Sequence, residues 1–140
     1  MEQRNNFNII CASTGVGKRA FVAAYPEDTI YIDAKHTHNW IPLVQKHVED
    51  GKLVLLDSDA EVRIALQHSK MDYILMYPRM EDLNEYIQRW KDDGLSEARI
   101  NYLCINWDRE VRDCYEDQYC QWGLAMPTGW RMSDVISHED

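Results

Sequence analysis

Short apolar runs alternating with segments of helical period predict an α/β fold, a three-layer sandwich built on a mainly parallel sheet of four to five strands. Parallel strands require crossover connections, and a helix-length segment follows each apolar run. A glycine-rich stretch, Ala12-Ser-Thr-Gly-Val-Gly-Lys-Arg19, separates the first such run from the first helical one. Glycines at a strand-to-helix turn let backbone N–H groups close around an anion.

The elements follow in order. Phe7-Asn-Ile-Ile-Cys-Ala12 is rich in β-formers, and Lys18-Arg-Ala-Phe-Val-Ala-Ala24 suits a short helix. Tyr25-Pro-Glu-Asp28 is a turn, and Thr29-Ile-Tyr-Ile-Asp33 is a short strand ending in a carboxylate. A helix runs from Trp40 to Glu49, with Asn39 as candidate cap, Pro42 in its first turn and Gly51 at its end. Lys52-Leu-Val-Leu-Leu-Asp57 reads as the next strand, and Asp59 caps a helix from Ala60 to His68. Asp72-Tyr-Ile-Leu-Met-Tyr77 is a further strand stopped by Pro78. Leu83, Ile87 and Trp90 mark the buried face of a helix from Met80 to Asp92, closed by Asp93-Gly94. Ser96 caps a last long helix, Glu97 to Asp117, with Ile100, Leu103, Trp107 and Val111 on one face.

The domain is expected to occupy residues 1–120, followed by an irregular C-terminal tail, 121–140, whose Gly123, Pro127 and Gly129 interrupt any period. Trp122 and Trp130 either pack back on the domain, the reading favoured for large apolar side chains, or form a partner surface, and roughly the last eight residues are expected to lack order.

Composition narrows the function. A chain of 140 residues buries about 68% of its unfolded surface, enough for a full core. No run reaches the ~20 apolar residues of a membrane span, and the polar start does not read as a signal peptide, so a cytoplasmic protein is expected, with no membrane partner. A net charge of −9 repels a nucleic-acid backbone and argues against duplex binding. Against that background Lys18, Arg19, Arg63, Arg79 and Arg89 would hold a polyanion if they converged on one cleft; apart, they are solvated charges. Cys11, Cys104, Cys114 and Cys120 form no C-x-x-C pair, which disfavours disulfides and zinc, and Cys11 and Cys104 read as buried thiols. His36 and His38 lack a third ligand at fitting spacing.

The glycine stretch carries the chemistry. Set against G-x-x-x-x-G-K-[ST], it keeps Gly17-Lys18 but has Ala12 at the first glycine and Arg19 where a magnesium-binding hydroxyl usually stands. Ser13, Thr14, Gly15, Val16, Gly17, Lys18, Arg19 and Ala20 would cradle nucleotide phosphates, with Lys18 reaching the outer ones. The loops after the strands gather on one sheet edge, which brings Asp33, Asp57 and Arg79 to the same side. Asp33 and Asp57 each end an apolar strand as a Walker B aspartate does, so either could hold Mg2+ through water; both serve equally well as turn or cap residues.

These motifs resemble those of the small bacteriophage-type P-loop nucleotide kinases, relatives of the nucleoside monophosphate kinases. Tyr31-Ile-Asp33 matches the aspartate ending their second strand, Glu61-Val-Arg63 their x-E-V-R motif, and Tyr77-Pro78 the pair after their fourth strand. Glu85-Tyr-Ile-Gln-Arg-Trp-Lys91 is similar to their lid segment, and Asn106-Trp-Asp108 to a closing motif. Gly15-Val-Gly-Lys-Arg19 is also similar to the loop of guanylate kinases, where arginine can follow the lysine. The resemblance implies a P-loop NTP hydrolase-like fold, Mg2+ and ATP as cofactors, and Lys18, Arg63 and Arg89 as catalytic residues. Arg63 would contact an acceptor phosphate and Arg89 the transferred one; Asp33, Asp57, Arg63 and Arg79 would line the substrate site. Ala20 and Asp93 depart from the family pattern, Asp93 by placing a negative charge where a second basic residue is common.

Two functions follow. One is ATP-dependent phosphoryl transfer to a nucleoside or deoxynucleoside monophosphate. The other is a catalytically degenerate relative that binds a nucleotide or a protein partner to sequester or inhibit it.

Overall fold

The computed structural model describes residues 8–136. Five strands, β1 (Ile9–Ala12), β2 (Thr29–Tyr31), β3 (Leu53–Asp57), β4 (Ile74–Pro78) and β5 (Trp122–Met126), form one sheet in the order β2-β3-β1-β4-β5. Every pairing is parallel. The helices are α1 (Lys18–Ala24), α2 (Trp40–Glu49), α3 (Ala60–His68), α4 (Leu83–Asp92), α5 (Glu97–Ile105), α6 (Trp107–Tyr115) and α7 (Met132–Val135), with 3-10 turns at Ala34–His36 and Met80–Asp82.

The three central strands explain the layering. Successive strand residues point to opposite faces, yet all of β1, all of β4 and all but the last residue of β3 are buried, so both faces are covered. The arrangement is the expected α/β sandwich. Leu55, Leu56, Ile74 and Leu75 lie at the centre, each worth about 1.5–3 kcal/mol of transfer free energy on burial. In register, Ala12 faces Asp57 on one side and Met76 on the other, so the strand ends line up at one edge.

Local signals are honoured unevenly. The Ser96 hydroxyl accepts from the Arg99 N–H at 3.1 Å, and Gly51 ends α2 at φ +85°. Asp59 precedes α3, but its carboxylate pairs with Lys35 at 2.7 Å and does not cap. Asn39 takes a left-handed conformation without capping α2.

Three expectations are corrected. The single helix over 97–117 is two, α5 and α6, broken at Asn106, whose side-chain amide donates to the Tyr102 carbonyl at 2.8 Å and competes with the helical ladder. The break turns Trp107 so that its indole donates to Met80 O at 2.9 Å and its ring packs on Tyr86 and Trp90. The described part of the segment 121–140 is not irregular: it supplies β5 and α7. Gly123 sits mid-strand because a Cβ there would come within 3.3 Å of Cys120 Sγ. Nor do Trp122 and Trp130 pack fully inward, since both are nearly half exposed. Of the last eight residues, expected to lack order, 133–135 belong to α7, while Phe7, assigned to a strand, and residues 137–140 lie outside the described residues.

Candidate functional site

The loop between β1 and α1 opens at the carboxyl edge of the sheet, between β3 and β4. Its glycines are conformationally required: Gly15 has φ +99° and Gly17 φ +120°. Gly15 also needs the space, because a Cβ would meet Trp90 Nε1 and Tyr86 Cδ2 at 2.9 Å.

Other elements hold the loop through its carbonyls. Trp90 Nε1 donates to Thr14 O at 2.9 Å, Arg89 to Gly15 O at 2.8 Å and the Met132 N–H to Val16 O at 2.9 Å. Val16 N–H closes a turn onto Ser13 O at 3.1 Å. Among the described residues the N–H groups of Gly15, Gly17, Lys18, Arg19 and Ala20 have no backbone acceptor. Because α1 has only seven residues, attraction for an anion must come chiefly from these N–H groups and from Lys18.

Lys18 folds across the loop. Its ammonium donates to Ala12 O at 2.7 Å, stands 3.2 Å from the Asp57 carboxylate and lies over the Tyr31 ring at 5.8 Å. Tyr31 OH in turn donates to Asp57 at 2.9 Å. Its hydroxyl is held above the ordinary tyrosine range by burial first, then by the charge and hydrogen bond of Asp57, with smaller contributions from Asp33 and Asp59. The three aspartates therefore share one electrostatic neighbourhood. Asp33 itself bonds His36 Nδ1 at 2.9 Å and is half exposed.

Beside the loop, at the point where the strand order reverses between β1 and β3, lies a cleft of about 440 Å³. Ser13 and Ser58, whose hydroxyls are 2.9 Å apart, line it together with Thr14, Asp57, Asp59 and Glu110. Glu110 is raised above the usual carboxylate range, by burial first and by the nearby charge of Asp59 second. Arg99 and Arg109 enter from α5 and α6, and Tyr102, Leu103 and Trp107 supply the apolar side. Opposite charges around an apolar wall suit a polar organic ligand of modest size.

The arginines expected in the site lie elsewhere in its frame. Arg63 is 4% exposed, donating to Ser58 O at 2.8 Å, Asp117 at 2.7 Å and Asp113 at 3.0 Å. Burial would raise Asp117, but hydrogen bonds from Tyr73, Arg63 and the N–H groups of Tyr119 and Cys120 together hold it below its ordinary value. Arg89 is 5% exposed and joins Gly15 O, Glu85 at 2.6 Å and Trp130 O at 2.9 Å, its guanidinium 4.4 Å from the Tyr86 ring. Arg79 pairs with Glu81 at 2.9 Å and lines a separate cleft with Tyr77, Met80 and Tyr115. Arg19 and Ala20 occupy the first turn of α1, and Asp93 is exposed just past α4.

Ser58 and Met132 join this frame without a sequence signal, while Tyr31 and Glu85 lay within motifs that gave them no role of their own. Trp90 had one: a buried indole N–H must find an acceptor, and the nearby turn offers free carbonyls. Cys11 lies beneath the loop, fully buried, with its thiol pushed well above the ordinary range by burial. Cys114, also buried, is pushed up to about 11, so neither is a nucleophile. Among the described residues no group of three or more His, Cys, Asp or Glu could hold a metal alone, and no helix is long and apolar enough to cross a membrane.

No family model, no curated protein and no solved structure matched the chain.

Proposed function

We propose that this chain is a P-loop nucleotide kinase of the small bacteriophage type, acting in the cytoplasm, which transfers the terminal phosphoryl group of ATP to a nucleoside or deoxynucleoside monophosphate. The observation that carries the reading is Lys18, the first residue of α1, whose ammonium spans a loop of two positive-φ glycines to reach Ala12 O at 2.7 Å. That constellation places a full positive charge near loop N–H groups that have no backbone acceptor, and Ser13, Thr14 and Asp57 of the same region line a cleft of about 440 Å³.

In the reaction, an acceptor phosphate oxygen forms a bond to the γ-phosphorus while the bond to the β-phosphate oxygen breaks, and ADP leaves. The acceptor oxygen is already ionised, so no base is needed. Lys18 offsets charge on the donor phosphates, and the loop N–H groups of Gly15 and Gly17 orient them. Asp57, which lines the cleft together with Ser13 and Ser58, would hold Mg2+ through water, in the manner of an ion that keeps most of its own hydration shell. When bound, that ion supplies further charge neutralisation. Asp33 is the more remote candidate for the same task. In this reading Arg63 anchors the acceptor and Arg89 meets the transferred group only by leaving their buried partners.

Those partners favour a second reading. With both arginines fixed by carboxylates and carbonyls, the same loop would bind a nucleotide without turning it over, and the protein would sequester a nucleotide or inhibit a protein partner. One assay separates the two: ADP formation from Mg-ATP with a panel of nucleoside and deoxynucleoside monophosphates, for the wild type and Lys18→Ala. Turnover lost in Lys18→Ala supports the kinase. Nucleotide-dependent thermal stabilisation without turnover supports the binder, and the absence of both rules out either nucleotide function.

A further inference from the structure

We infer that residues 128–132 are a positioning strap for the glycine loop, so that polyphosphate binding at the loop and docking of the strap strengthen one another. The inference rests on reading the loop as a phosphate site.

A trans peptide group is planar, with its C=O and the following N–H on opposite sides. Whatever fixes the carbonyls of Thr14 and Val16 therefore also fixes the directions of the Gly15 and Gly17 N–H groups. Thr14 O is held from α4 by Trp90, and Val16 O from the strap by the Met132 N–H. Before any phosphoryl transfer, with polyphosphate alone at the loop, Arg89 ties the two supports together, with one guanidinium nitrogen on Gly15 O at 2.8 Å and the other on Trp130 O at 2.9 Å.

The strap is anchored along its length. Thr128 Oγ1 donates to Asp82 at 2.9 Å, the Gly129 N–H to Glu85 at 3.1 Å and the Arg131 N–H to Asp134 at 2.8 Å, while the Met132 side chain is fully buried. It also sits against the loop: a Cβ on Gly17 would lie 3.3 Å from Met132 N. Glu85 accepts from both Arg89 and Gly129, so loop, helix and strap share one hydrogen-bonded junction. A polyphosphate that requires the Gly15 and Gly17 N–H groups in these directions binds the strap-docked state best. By linkage the bound ligand must then stabilise the docked strap equally.

Met132→Pro tests this by removing the N–H and turning the ring's Cδ toward Val16 O, which pushes the strap off the loop. Met132 is the first residue of α7, where proline is tolerated, and Arg131 before it has φ −122° and ψ 171°, values a residue preceding proline readily takes. The substitution removes the donor to Val16 O along with the side chain; Met132→Ala removes the side chain and keeps the donor. Tripolyphosphate affinity, measured by titration calorimetry, is expected to fall about fivefold further in Met132→Pro than in Met132→Ala. In the wild-type chain, adding tripolyphosphate is expected to slow amide exchange at residues 129–132. Equal affinities in the two variants with unchanged exchange would overturn the coupling and leave the loop reading standing. No Lys18-dependent binding by the wild type overturns both. Should Met132→Pro fail to fold, the exchange measurement on the wild type decides alone.

Discussion

The ammonium of Lys18 stands 3.2 Å from the carboxylate of Asp57, which also accepts the Tyr31 hydroxyl. An acid placed so close competes with any anionic ligand for the same positive charge. It also keeps the lysine extended across the loop and not out in solvent.

Asp57→Asn should therefore split two properties. Without magnesium, tripolyphosphate should bind about twofold to fivefold tighter, the range expected for releasing a partly exposed ion pair. Turnover with Mg-ATP should fall. Calorimetry in the presence of a chelator checks the first, and an ADP assay the second. Weaker metal-free binding by Asp57→Asn would contradict the competition.

Gly15→Ala should destabilise more than Gly94→Ala. Both positions have positive φ, and alanine at Gly94 meets nothing within 4 Å, so its cost is backbone strain of about 1–2 kcal/mol. At Gly15 the new Cβ also collides with Trp90 and Tyr86, adding about 1–3 kcal/mol of overpacking. Urea unfolding of the two variants gives the difference directly; equal midpoints would mean that the rings yield without cost.

Asp117 should govern part of the acid limb of stability. Its folded carboxyl titrates below the unfolded value near 4, so its contribution is complete above that pH and is lost as pH falls through the depressed folded value. Asp117→Asn leaves Arg63 buried with one carboxylate fewer and should cost about 3 kcal/mol at neutral pH. The gap between variant and wild type should narrow on acidification. Urea midpoints between pH 7 and pH 2 read this out, and a constant gap would show that Asp117 does not titrate with folding.

Arg89→Lys should lose stability and activity together. One ammonium cannot reproduce a planar fork that reaches Gly15 O, Glu85 and Trp130 O at once, and about 2 kcal/mol of stability should go. Reduced turnover with an unchanged melting temperature would instead place Arg89 on the transferred phosphate.

How legible these features were from sequence depended on where their partners lay. β1, β3 and β4 stood out because buried parallel strands are written as unbroken apolar runs, and the loop because glycine and lysine spacing is local. β5 did not, because an edge strand with a glycine at its second position and only its last residue, Met126, buried shows neither alternation nor a buried apolar run. The break at Asn106 was hidden by Ile100, Trp107 and Val111, which keep one helical face across it. Arg63 read as a free cation because its carboxylates, Asp113 and Asp117, come from a helix end far along the chain. Only contact through space shows that it is spent on the frame.

The bond from Met132 to Val16 joins late sequence to early sequence. During synthesis the glycine loop leaves the ribosome long before its third carbonyl partner exists, and β4 must wait across three helices for its outer neighbour. On the proposed phosphate reading, a nascent chain has its lysine before it has a finished grip, and ligand capture is expected only after the final strand has been translated and docked.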